Sequence, residues 1–235
     1  MHDHDAMRLS ILLLAIAACS TGYADEPPGK QFEHDTMARF HMHENYALFA
    51  AIERLLVRGK LDDVRDLARA IGIAPDEAGL SAWATQAATV RDRAIAVATA
   101  TNVDEACRRT AKLAEACASC HVGTNAVPEF REPPRLPPDR PTVEGRMVRH
   151  VWAVERIREG VIGAVDEPWR AGLDVLAQAP LPWATAEAER APLAKKLHDL
   201  ADRARQRAGI DTNADRARTY GELLVTCAAC HAVSK

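Results

Sequence analysis

Two short segments of this chain carry the same arrangement of reactive side chains, Cys117-Ala118-Ser119-Cys120-His121 and Cys227-Ala228-Ala229-Cys230-His231. On a helix, positions i, i+3 and i+4 share one face, so each segment projects two thiols and an imidazole together. Cys-x-x-Cys-His is the pattern that attaches c-type haem: the thiols add across the vinyl groups of the macrocycle and the imidazole binds its iron. Zinc also draws on Cys-x-x-Cys pairs, but these two pairs lie far apart in the chain and each has its own His. A redox-active dithiol belongs at a strand-to-helix junction, and no segment here reads as a strand. A framework of structural disulfides leaves the His after both pairs unexplained. The expected cofactors are therefore two covalently bound haem c groups, held by Cys117, Cys120, His121, Cys227, Cys230 and His231.

The elements that must position these groups come in two related sets. Met42, Tyr46, Phe49, Ile52 and Leu56 form an apolar stripe at helical spacing, and Met147, Val151, Val154, Ile157 and Val161 repeat it 105 residues later. Arg65 and Arg170 keep the same offset, Trp83-Ala84-Thr85 matches Trp183-Ala184-Thr185, and the Cys-x-x-Cys-His segments close the series. Between the halves, Val127 to Pro141 holds six prolines in fifteen residues, which predicts an extended connector. Each half reads as four helices. In the first they are expected near Thr36 to Arg58, Leu61 to Ile71, Asp76 to Thr101 and Val103 to His121, with Gly59, Gly72 and Pro75 as punctuation. The second half follows the same plan from Thr142. The expected architecture is all-α: two tandem four-helix bundles, residues 25–126 and 142–235, each ending in its haem motif and joined by the linker 127–141.

Composition agrees with helices and narrows the partners. The 235 residues are 48% hydrophobic but only 5% aromatic, with Ala, Leu, Arg, Asp and Glu dominant, which disfavours an all-β fold. A net charge of -3 without blocks of like charge gives no footprint for nucleic acid. Arg8, the apolar run Leu9 to Ala18 and the small residues before Ala24 predict a secretory signal peptide over residues 1–24. Ile16-Ala17-Ala18-Cys19 also fits a lipoprotein signal over residues 1–18, with a lipid anchor at Cys19. Either way the folded part is expected to be exported, periplasmic and without a transmembrane helix.

The second motif stands almost at the end of the chain, followed only by Ala232-Val233-Ser234-Lys235, so any sixth ligand to its iron must come from upstream. In this placement the chain resembles the class II c-type cytochromes, the cytochrome c prime family and its low-spin relatives. That resemblance implies four-helix bundles with the haem motif near the C-terminus of the last helix. It also implies a distal residue on the first helix, Met in the low-spin members, and Met42 and Met147 are the register-matched candidates. Histidines remain open as alternatives: His150 shares a face with Met147, where its counterpart is Asn45, and His41 and His43 flank Met42. Trp83 and Trp183 are expected as core aromatics, Arg65 and Arg170 as solvated rather than propionate-binding, and Cys107 as a small buried residue. Asp62-Asp63 and Asp166-Glu167 read as helix N-terminal charges. These features favour an electron carrier between redox partner proteins over two other readings, a gas-binding protein with five-coordinate haem or a dihaem redox enzyme. No acid–base constellation recommends the enzyme.

Overall fold

The computed structural model describes residues 28–72, 83–126, 128, 130–178 and 189–233. These form eight α-helices: α1 (Pro28–Val57), α2 (Leu61–Gly72), α3 (Ala84–Ala98), α4 (Val103–Gly123), α5 (Val143–Ile162), α6 (Asp166–Leu176), α7 (Ala191–Arg207) and α8 (Asn213–Ala232). Among the described residues there is no strand, and no helix is long and apolar enough to cross a membrane. The signal segment, the Trp183-Ala184-Thr185 match and the first residues expected for the third helix lie outside the described residues. The first helix begins at Pro28, eight residues before the expected Thr36.

Local chemistry marks the repeat. Asn102 and Thr212, at matched positions, are the N-caps of α4 and α8, and each side chain accepts from a backbone N–H three residues on, Glu105 or Asp215. Both acidic side chains reach back, Asp215 to the N–H of Thr212 and Glu105 to that of Thr101. The helix carrying each motif is therefore started by an equivalent device. The acidic pairs at positions 62–63 and 166–167 fall in the first turns of α2 and α6, as expected.

Within each half, successive helices pack on one another: α1 on α2, α2 on α3 and α3 on α4, then α5 on α6, α6 on α7 and α7 on α8. The halves are not separate bundles on a spacer. α4 and α8 pack directly and extensively, α1 also packs on α8 and α5 on α4, and one hydrophobic core runs through both halves. α4 and α8 are antiparallel, since Ala111 lies beside Gly221 while Arg108 meets Glu222 and Cys107 approaches Cys227. A Cβ on Gly221 would stand 3.2 Å from the Cβ of Ala111, so this helix pair is set at a close approach. The linker has no helix in its described residues, but it is packed rather than free: Trp152 Nε1 donates to Pro134 O at 2.7 Å, and the ring of Phe130 lies 5.6 Å from that of Tyr46.

Ala111 and Gly221 are matched positions, as are Glu53 and Arg158, which form a buried ion pair at 2.6 Å between α1 and α5. The halves thus meet about an approximate two-fold axis that brings equivalent residues together. Burial pushes the Glu53 carboxyl upward against the pull of Arg158. Removing one partner leaves a buried charge unmatched, whereas replacing both with apolar groups of similar volume is close to neutral. Glu53→Ala is therefore expected to lose about 3–5 kcal/mol in urea unfolding. The Glu53→Leu/Arg158→Met double variant should recover most of that loss, and a double variant as unstable as the single one would refute the pairing.

Candidate functional site

α4 delivers the first motif to one end of the molecule. Cys117, Cys120 and His121 are each half-buried on a continuous helix that ends two residues beyond the His, and both thiols are free. Burial, followed by the neighbouring Cys120, pushes the Cys117 thiol up to about 12, and burial also raises Cys120. His121 Nδ1 lies 2.9 Å from the carbonyl oxygen of Ile162, in the last turn of α5. A carbonyl only accepts, so Nδ1 carries the proton and Nε2 keeps its lone pair. The carbonyl is one of those that a helix C-terminus leaves without an intrahelical donor. The second half therefore orients the imidazole of the first.

α8 delivers the second motif to the opposite end. His121 and His231 each lie ten residues beyond the crossing of Ala111 and Gly221, in opposite directions. That separates them by about 30 Å along the helix pair, at about 1.5 Å per residue. Cys227 and Cys230 are half-buried and in no disulfide, and Cys227 is pushed up to about 12 by burial, then by the Glu53 carboxylate and Cys230. His231 stands at the surface, lowered in pKa by partial burial and then by Arg190.

The first helices meet these ends in a matched way. α1 runs parallel to α8, with Phe49 stacked on Tyr220 and Glu53 acting on both Tyr220 and Cys227. Its N-terminal half therefore lies at the level of His121, and Met42 with it. α5 places His150 within electrostatic reach of His231. The apolar stripes lose their cover in this direction: Phe49, Ile52 and Leu56 are buried, but Met42 on the same stripe is 37% exposed. In α5, Ile157 and Val161 are buried whereas Val151 is 61% exposed. Cover is thus lost at Met42 in the first stripe and at Val151 in the second, with Met147 beyond it half-buried.

The remaining candidates divide. Met147 is half-buried, and His43 is exposed. His150 is half-buried and held down to about 4 by burial, then by Arg146, His231 and Arg149, so it is neutral near pH 7. His41 is tied to Asn45 at 3.0 Å. Arg65 is structural rather than simply solvated: it donates to the carbonyl of Ala100 at 3.0 and 2.7 Å and pairs with Asp62. Arg170 is exposed and pairs with Asp166 at 3.6 Å, and Trp83 is the half-exposed N-cap of α3 rather than a core aromatic. Cys107 is fully buried, its thiol pushed up to about 12 by burial and then by Cys227. Among the described residues, no three His, Cys, Asp or Glu side chains converge to hold a bare metal ion.

Two contributors escaped the sequence reading. The Ile162 carbonyl has no side-chain signal at all. Arg149 had one, because it occupies the register position of Glu44. Comparison of the chain with protein-family models, curated proteins and solved structures finds no match.

Proposed function

We infer that this chain is an exported dihaem c-type cytochrome, similar to the class II cytochromes, that carries single electrons between redox partner proteins. The observation that carries this reading is the Nδ1–H of His121 fixed on the Ile162 carbonyl, which leaves Nε2 as the free donor of an imidazole adjoining two free thiols. Such an outer hydrogen bond is the usual support of a metal-ligating His: it sets the tautomer and the ring orientation and raises ligand basicity. Further support comes from Met42 and Val151, exposed apolar members of the two stripes, which offer surface for a large flat macrocycle.

Cys117, Cys120, Cys227 and Cys230 are the thioether positions, and His121 and His231 the proximal ligands. Met42 and Met147 are the distal candidates, with His43 and His150 as the alternatives. When bound, haem c supplies a one-electron Fe(III)/Fe(II) couple. The chain's own part is to bind it covalently, orient the proximal imidazole and shield one face with an apolar stripe. A thioether on the distal side favours the reduced state relative to a second imidazole. The signal segment supplies the route out of the cytoplasm, and no member of the set needs a nucleic acid or a membrane span.

Produced in the periplasm of a host equipped for c-type haem maturation, the denatured full-length protein is expected to keep a mass increment of two haems. An increment of one or none would overturn the reading. Electronic absorption and EPR spectra test the distal side. A low-spin ferric wild type in which Met42→Ala and Met147→Ala each convert one haem to high spin supports Met-ligated carriers. A low-spin signal lost only with His150→Ala assigns that position to the second haem. A high-spin wild type that rapidly binds NO would replace electron carriage by gas binding.

A further inference from the structure

Buried arginines in this chain have carboxylate partners: Arg156 pairs with Glu159, Arg158 with Glu53 and Arg216 with Asp166. Arg149 differs. It is 6% exposed, donates through Nη1 to the carbonyl of Pro137 at 2.6 Å and through Nη2 to Gln178 Oε1 at 2.8 Å, and has no carboxylate partner among the described residues. Neutral oxygens solvate a guanidinium without cancelling its charge, and the group stays protonated in proteins. A positive charge is therefore fixed inside the protein, close enough to His150 to act on it, as His231 also does. Arg146, one turn earlier, adds to it, partly offset by Asp139 at 3.2 Å, and Arg190 acts on His231.

The first half inverts this pattern. Glu44 and His41 occupy the positions matched to Arg149 and Arg146. Arg39 and Glu144 are also exchanged in sign, in the opposite sense, but both face water, where charges are strongly screened. The buried guanidinium is much less screened, so it dominates the difference.

Resting on the dihaem reading, we propose that Arg149 makes the haem at Cys227–Cys230–His231 the higher-potential one, so that an electron entering at the other haem settles there. Iron carries one more positive charge when oxidised than when reduced, and a nearby fixed cation opposes the oxidised form. At the first site the Ile162 carbonyl acts the other way by strengthening His121 as a donor, and Glu44, at the position matched to Arg149, faces water and supplies no buried cation. An external one-electron reductant takes the iron of the first haem from Fe(III) to Fe(II), and onward transfer of that electron returns the first iron to Fe(III) as the second goes from Fe(III) to Fe(II).

The test is a spectroelectrochemical titration of the full-length protein after its two haems have been counted by mass. Two separate one-electron waves are expected. The higher should vanish in a Cys227→Ala/Cys230→Ala protein that keeps only the first haem. Arg149→Gln should shift the higher wave downward by about tenfold in the oxidised-to-reduced ratio, about 59 mV for one electron, and leave the lower wave in place. Arg149→Lys should retain most of the wild-type value. Should Arg149→Gln fail to fold, Arg146→Gln removes a charge one turn away without touching the bonds to Pro137 and Gln178, and a smaller shift of the same wave is expected. Coincident waves in the wild type, or a higher wave indifferent to both Gln variants, would overturn the proposal with the haem reading intact; the second outcome would mean that a bound carboxylate, such as a haem propionate, already neutralises the cation. A haem count other than two would defeat the reading beneath it.

Discussion

The close antiparallel crossing of α4 and α8 is the constraint on which the rest of this structure depends. Ala111 and Gly221 meet there so closely that a Cβ on the glycine would stand 3.2 Å from that of the alanine, and they are equivalent residues of the two halves. An antiparallel contact between equivalent points is a two-fold relation, and the other contacts between halves obey it: α1 rests on α8 as α5 rests on α4. Because each motif lies at the C-terminal end of its helix, the same crossing sends the two Cys-x-x-Cys-His faces to opposite ends. It also merges the two halves into one core, with Leu56, Ile157, Leu113 and Leu224 in a single cluster.

A two-fold relation between identical halves would place like beside like, and this chain departs from that where it matters most. Two glutamates or two arginines at the positions of Glu53 and Arg158 would face each other in the interior at a prohibitive cost. This chain sets one of each there, at 2.6 Å. The same freedom puts Glu44 against Arg149 at one matched position of α1 and α5, and Leu55 and Leu67 against Gly160 and Gly172 between the first two helices of each half. In the second half those glycines let α5 and α6 come together around a fully buried Trp169. Specific pairing of the halves and electrostatic difference between the two ends thus share one origin, divergence at matched positions.

Periodicity made most of this legible in the sequence. The stripe from Met42 to Leu56 and its copy fall on α1 and α5, the breaks at Gly59 and Gly72 fall where helices end or the described chain stops, and the motifs lie on the last helix of each half. Contacts between helices were not legible, because an apolar stripe states that a face is buried and not which neighbour buries it. Two separate bundles was the simplest closure of eight amphipathic faces; the added packing of α1 on α8 and of α5 on α4 needed the crossing at Gly221. The linker misled for a related reason. Proline content foretold an absence of helix, but the carbonyls of Pro134 and Pro137 are free acceptors, and Trp152 and Arg149 take them.

Under the proposed carrier function, the placement of the motifs also limits what the chain can do. With His121 and His231 at opposite ends, a partner protein that docks at one end does not obstruct the other, so entry and exit of an electron need not compete for one surface. The cost is the long interior between them, and there the chain keeps its charges matched: Glu53 answers Arg158, and Arg156 answers Glu159. A matched pair projects little field at a distance, whereas a lone buried cation projects a large one. Arg149, lacking a carboxylate and lying at the second end rather than midway, therefore distinguishes the two sites without disturbing the protein between them.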